Sequence, residues 1–244
     1  MNVSGAETIE LARTIREGGG RAMLVGGCVR DELMGIEPKD WDLEVYGVEA
    51  ERLKEILEAF AADQPLSIVG AAFAVYKIGQ NIDVSIPRRE RKAGRGHKGF
   101  VIEGDPEMSF KEACSRRDFT VNAILKDPLT GEIVDPFNGR DDIDAKVLRH
   151  VSDATFGEDS LRVLRAAQFA ARLKFDIDPK TVEICREIDL SDLPKERIWG
   201  ELEKILLLAD EPSKGLKWLY SLKVADKLFP ELQTLVGVPQ EPEW

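Results

Sequence analysis

Histidine and cysteine are scarce in this chain, and neither is spaced for chemistry. Of the 244 residues only His97 and His150 are histidines, which argues against a histidine-based catalytic or zinc site. The 3 cysteines, Cys28, Cys114 and Cys185, are odd in number and lack metal-ligand spacing. They read as reduced, buried thiols of a cytoplasmic protein. No apolar run approaches the roughly 18 residues that would span a bilayer, and no signal-peptide pattern opens the sequence. There is no internal repeat or low-complexity tract. Positive charge is in deficit too: the formal net charge of −11 argues against a broad electrostatic nucleic-acid surface. A hydrophobic content of 43% gives ample core for one large domain or two small ones.

The chain does carry acids in pattern. In Lys39-Asp40-Trp41-Asp42-Leu43-Glu44-Val45, alternation predicts a strand with Asp40, Asp42 and Glu44 on one face and Trp41, Leu43 and Val45 on the other. Same-face carboxylates lie about 7 Å apart at the backbone. Their oxygens can converge on two Mg²⁺ ions about 3.5–4 Å apart, the separation that serves in-line phosphoryl or nucleotidyl displacement. A dozen residues earlier, a short buried strand runs into Gly26-Gly27 and an amphipathic helix start. A helix N-terminus behind a glycine turn suits an anion, and Arg30 in the first turn can fork onto a phosphate. In Asn81-Ile82-Asp83-Val84-Ser85-Ile86, Asp83 faces away from the apolar layer and would complete a three-carboxylate site. Taken singly, each feature has a plain structural reading: solvated acids, a tight turn, a surface ion pair.

Further along, Arg88, Arg89, Arg91, Lys92, Arg95 and Lys98 form a local basic segment interspersed with glycines, read as a flexible loop beside the site. Arg116-Arg117-Asp118 precedes an apolar run expected to be helical over 119–125, with Asp118 as its cap. Residues 157–175 read as a strong helix, on which Asp159, Arg162 and Arg165 share one side as an ion-pair ladder. Strands are expected near 21–25, 41–46, 66–69, 73–78, 82–86 and 124–127. Helices are expected over the first 20 residues and near 27–34, 49–61, 158–174, 179–188, 195–209 and 212–221.

Gly26-Gly27-Cys28-Val29-Arg30-Asp31, Lys39-Asp40-Trp41-Asp42, Arg116-Arg117-Asp118-Phe119-Thr120-Val121-Asn122-Ala123, Asp135-Pro136-Phe137-Asn138-Gly139 with Asp142-Ile143, and Glu158-Asp159-Ser160-Leu161-Arg162 occur in that order. With Arg165 and Lys195-Glu196-Arg197-Ile198 they make the chain resemble the bacterial-type (class II) tRNA nucleotidyltransferase and poly(A) polymerase family of the DNA polymerase β superfamily, most like CCA-adding members. The resemblance implies an α/β nucleotidyltransferase head, a mixed sheet of about five strands with flanking helices, over residues 1–140. An all-helical neck would follow over 141–228, then a linker over 229–244 to a missing or absent C-terminal region.

It further implies transfer of CMP and AMP from CTP and ATP to the tRNA 3′ end with release of pyrophosphate. Asp40, Asp42 and Asp83 would be the catalytic, Mg²⁺-holding acids. Gly26, Gly27 and Arg30 would grip the triphosphate, and Arg117, Asp118 and Asn122 the ribose region. Asp159, Arg162 and Arg165 would read the base, while Glu158, Glu196, Arg197 and Glu201 brace their helices. The basic segment is associated in such relatives with switching from C to A addition. Enzymes adding only A, and poly(A) polymerases, share these motifs and stay open beside CCA addition. A non-catalytic RNA- or nucleotide-binding fragment is the alternative of another class.

Overall fold

Alternating apolar and polar residues in the first half resolve into one mixed sheet with helices beside it. The computed structural model describes residues 5–61, 65–69, 75–92, 100–234 and 237–239. Two compact units divide the chain, residues 1–143 and 144–244.

In the first unit, α1 (Gly5–Glu17) buries Thr8, Leu11, Ala12 and Ile15, the i, i+3, i+4, i+7 spacing of a single helix face. β1 (Arg21–Val25), α2 (Gly27–Leu33), β2 (Trp41–Tyr46) and α3 (Ala50–Ala61) follow. Next come β3 (Leu66–Val69), β4 (Val75–Ile78), β5 (Ile82–Ser85), β6 (Arg88–Lys92), β7 (Phe100–Gly104) and α4 (Phe110–Ser115). β8 (Leu125–Lys126), β9 (Ile133–Val134) and α5 (Gly139–Ala145) complete this half. The main sheet runs β3-β4-β5-β2-β1-β8-β9, antiparallel throughout except for the parallel pair β2–β5. Leu43, Val45, Ile82 and Val84 are fully buried or nearly so on one face of its centre, as alternation requires.

The sheet has 7 strands rather than about five. The addition that the sequence did not announce is β9, two residues without alternation of their own. The basic segment is also corrected in part: residues 88–92 are a strand, paired antiparallel with β7, and Arg95 and Lys98 lie outside the described residues. Residues 119–125 are not a helix. Only Thr120–Asn122 form a 3₁₀ turn, because the chain must straighten at once to pair Leu125 with Val25.

The second unit contains β10 (Val147–Leu148), α6 (Leu161–Leu173), β11 (Asp176–Ile177), α7 (Pro179–Glu187), α8 (Lys195–Leu208), α9 (Pro212–Ser221), α10 (Val224–Leu228) and α11 (Pro230–Gln233). It is helical apart from the short parallel ladder β10–β11. α6, α8 and α9 meet at Gly215, where a Cβ would stand 2.5 Å from Ile205 Cγ2 and 3.1 Å from Ala171 Cβ. Only glycine permits that approach. α6 begins at Leu161, after a separate 3₁₀ turn at Phe156–Glu158, so Asp159 precedes the helix. α11 falls inside the stretch expected to be linker. Among the described residues no helix is long and apolar enough to cross a membrane. All three cysteines are free and buried, and burial pushes the Cys28 thiol up to about 11.

Candidate active site

The site begins where β1 ends. Gly26, with φ 75° and ψ −131°, opens α2 and no side chain caps that helix. This backbone conformation is available to glycine and strained for other residues. The position is also close-packed: a Cβ would lie 3.0 Å from Arg117 Nη1 and 4.0 Å from Asp42 Oδ2. The glycine turn, one carboxylate and one guanidinium therefore meet at a single point. Gly27 follows as the first residue of α2, and a Cβ there would meet Arg30 Nη2 at 3.6 Å.

The parallel β2–β5 ladder sets the acids. Asp42 pairs in register with Asp83, between the pairs Trp41–Ile82 and Leu43–Val84, of which Ile82, Leu43 and Val84 are buried. Two carboxylates thus sit side by side on the face opposite the core. Asp40 lies just before β2 rather than in it. The Asp42 carboxyl is raised above its ordinary value, first by loss of hydration and then by the negative charge of Asp83; Arg117 opposes the shift, Asp40 adds to it and Lys77 opposes it. Asp83 is held by Lys77, whose Nζ lies 2.7 Å from each of its oxygens.

The third acid on the β2 face, Glu44, is not part of this pair. It accepts a hydrogen bond from Arg117 Nη2 at 3.0 Å and one from Tyr46 Oη at 2.9 Å. Glu44 thereby fixes the guanidinium against Gly26. Behind it runs a buried polar chain. Arg30, only 4% exposed, donates to Asn122 Oδ1 at 2.6 Å and to Asp31 Oδ1. Asn122 Nδ2 donates to Asp118 Oδ1 at 3.0 Å. Arg30 was expected at a phosphate; here its guanidinium faces protein and ties α2 to the 3₁₀ turn. Asp118 does not cap a helix: its carboxylate accepts from the neighbouring Phe119 N–H and from Asn122.

The Asp135-to-Ile143 motif supports this turn from beneath. Asp135 accepts from the N–H groups of Gly139 and Arg140 at the start of α5. Asp142 Oδ2 accepts from Thr120 Oγ1 at 2.6 Å. Gly139 packs so tightly that a Cβ would come within 2.2 Å of Thr120 O.

In the second unit, Asp159 pairs with Arg197 rather than only with the arginines beside it in sequence. Arg197 Nη1 and Nη2 meet Oδ1 and Oδ2 at 3.2 and 3.0 Å, a bidentate fork, and Leu161 N–H also donates to Oδ1. Burial would raise this carboxyl, but the Arg197 hydrogen bonds and charge outweigh it and hold it below the usual carboxylate range. Arg162 donates to Thr155 O at 2.8 Å, and the Arg165 guanidinium lies 5.0 Å from the Phe169 ring centroid. Both arginines are half-buried and share one side of α6. Glu201 is buried, with Lys204 on one oxygen.

Among the described residues no three histidine, cysteine, aspartate or glutamate side chains are grouped so as to hold a metal ion. The expected three-carboxylate cluster is thus not closed: Asp42 and Asp83 are adjacent, with Lys77 on Asp83. The donor set itself is all oxygen and its charges repel each other, which fits a hard divalent cation. Sequence reasoning missed Lys77 and the Glu44–Arg117 pair. The register of β4 against β5 puts Lys77 opposite Asp83, a signal legible only once the strands are paired.

Comparison with known proteins gives the same direction. The family described as "Poly A polymerase head domain" matches residues 22–149, and "Probable RNA and SrmB- binding site of polymerase A" matches residues 174–235. The chain is 42% identical over 231 residues to a "Multifunctional CCA protein" of Xanthomonas oryzae pv. oryzae (strain MAFF 311018), covering 91% of this chain and 53% of that one. A protein of the same name from Stenotrophomonas maltophilia (strain R551-3) is also 42% identical, with 91% and 54% covered. The chain therefore spans about half the length of the curated relatives it matches. Among solved structures, the Bacillus stearothermophilus CCA-adding enzyme in complex with CTP is similar with a TM-score of 0.73 at 30% identity, over 88% of this chain and 51% of that one. A tRNA nucleotidyltransferase complexed with a primer tRNA and an incoming ATP analog gives 0.72 at 28%, over 90% and 62%. The chain belongs to the poly A polymerase head domain family, which accounts for more than half of its length.

Proposed function

We propose that the chain is the nucleotidyl-transferring part of a CCA-adding enzyme, moving CMP and AMP from CTP and ATP onto the tRNA 3′ end. One observation carries the reading: Asp42 lies beside Asp83 on paired strands, and Gly26 and Arg117 close the same point. The relatives' names and the CTP- and tRNA-bound neighbours support it. Residues 1–140 act as the catalytic head, 141–228 as the base-recognising neck and 229–244 as a connecting segment. A protein acting on tRNA in this way belongs in the cytoplasm.

Asp40 and Asp42, joined by Asp83, would hold two Mg²⁺ ions. Bound there, the ions would supply charge neutralisation for the transferred phosphoryl group. Asp83 accepts the proton of the primer 3′-hydroxyl as its oxygen attacks the α-phosphorus. The new phosphodiester forms as the bond to pyrophosphate breaks. Arg117, fixed by Glu44, offers a guanidinium to the triphosphate at the glycine turn of Gly26 and Gly27. Arg30 acts through Asn122, holding it on Asp118 at the ribose region.

For the base, Asp159 accepts from the exocyclic amine that C and A share. Arg197 and Leu161 N–H take three of a carboxylate's roughly four acceptor positions, leaving one for that amine. Arg162 and Arg165 donate to the ring nitrogen and, in C, to the keto oxygen.

The test supplies tRNAs ending before, within and after CC with labelled CTP or ATP separately. CMP should enter the two shorter tRNAs and AMP the one ending in CC. AMP incorporation alone would instead mark an A-adding enzyme or poly(A) polymerase, and no incorporation a binding fragment.

A further inference from the structure

We propose that Lys77 competes with a divalent cation for Asp83, and so sets the cation affinity of the site. The inference rests on the reading that Asp42 and Asp83 hold such a cation. Three neighbouring strands place Lys77, Asp83 and Asp42 in one row across the sheet: Lys77 on β4 opposite Asp83 on β5, and Asp83 opposite Asp42 on β2. Lys77 Nζ is 2.7 Å from both oxygens of Asp83, so the ammonium covers the atoms that a hard cation would need.

Displacement is easy. The Lys77 side chain is 43% exposed and that of Asp83 32%, and an ion pair this open to water is weak. On leaving, the ammonium returns to solvent while its aliphatic stem stays on the sheet. A divalent ion would offer two charges where Lys77 offers one, with both acids available to hold it. With Lys77 in place, the row holds one cation against two acids and stays assembled without metal. With Lys77 removed, the repulsion between Asp42 and Asp83 is opposed by less positive charge, and a metal ion gains the difference. Lys77 is therefore a positioning residue that keeps Asp83 oriented beside Asp42 while lowering the affinity for the ion.

The experiment measures Mn²⁺ binding to the full chain, without nucleotide or RNA, from the electron paramagnetic resonance of free Mn²⁺. Four proteins are compared: wild type, Lys77→Met, Lys77→Arg and Asp42→Ala. Lys77→Met should bind Mn²⁺ about tenfold more tightly, a typical size for coupling between competing ligands. It should also gain more in melting temperature on Mn²⁺ addition than the wild type does. Lys77→Arg, which restores the cation, should bind like the wild type, and Asp42→Ala should lose the site. Unchanged or weaker binding by Lys77→Met, with Asp42→Ala defective, overturns the competition and leaves the metal reading standing. Wild-type binding by Asp42→Ala overturns the metal reading itself.

Discussion

Arg197 shows how a single residue outside the expected site can govern one inside it. Asp159 is expected from sequence to face Arg162 and Arg165, yet its carboxylate is forked by Arg197 from α8, a helix that begins 34 residues after the start of α6. Because this carboxyl is held below its ordinary value, the pair contributes stability above the unfolded pKa of about 4. That contribution is lost as pH falls through the folded value. Arg197→Met should cost about 1 kcal/mol near pH 7, the upper range for a part-exposed pair. The difference in urea midpoint from wild type should shrink below pH 4. In extension assays the same variant should blur the choice of C and A over G and U more than it slows total turnover, since Asp159 loses its orientation but not its charge.

At the scale of elements, the segment from Arg117 to Asn122 is a loop with a short 3₁₀ turn, held in place by its neighbours as well as by its own hydrogen bonds at Asp118. α5 supports it through Asp142 and Thr120, Arg30 of α2 holds Asn122, and Glu44 of β2 holds Arg117. Gly139→Ala should cost about 2 kcal/mol in a denaturant titration, because the new methyl group is driven into the Thr120 carbonyl and overpacking is expensive. It should also reduce nucleotide binding measured by calorimetry, as the turn is pushed off its support. Much of this was legible as motif but not as mechanism. The Asp135-to-Ile143 stretch could be recognised from its residue types. That its work is to cap α5 and brace Thr120 needed the fold, because the partners are separated by 22 positions in the case of Asp142 and Thr120. The helix expected over 119–125 failed for a related reason. Its apolar residues are buried all round, so periodicity carries no phase, and pairing of β8 with β1 decides the conformation.

For the molecule as a whole, charge is the dominant tension. A net charge of −11 disfavours any further concentration of acids, and the site concentrates them. The raised carboxyl of Asp42 means that its ionised form opposes folding at neutral pH. Stability on this account rises as pH falls through that raised value, before other carboxylates protonate. Asp42→Asn should therefore melt higher than the wild type at pH 7 without divalent ions, and the gap should narrow as pH falls through the raised value. The same substitution should lower nucleotidyl transfer by roughly two orders of magnitude or more, the scale of a positioned electrostatic group. A variant that melts lower, or that extends RNA normally, would contradict the role given to Asp42.

The sequence by itself determined helices α1, α2, α3, α6, α7, α8 and α9, six of the seven strands of the main sheet, and the placing of Asp42 and Asp83 away from the apolar face, while the family motifs pointed to the fold class; α4, α5, α10 and α11 were not expected. The helices and strands rest on alternation and helical spacing, which are local properties written along the chain. Tertiary structure alone decided which charges meet: Lys77 with Asp83, Glu44 with Arg117, Arg30 with Asn122, Arg197 with Asp159. Each of these pairs joins separate strands, helices or loops, and strand register or packing, not spacing along the chain, brings their side chains within reach.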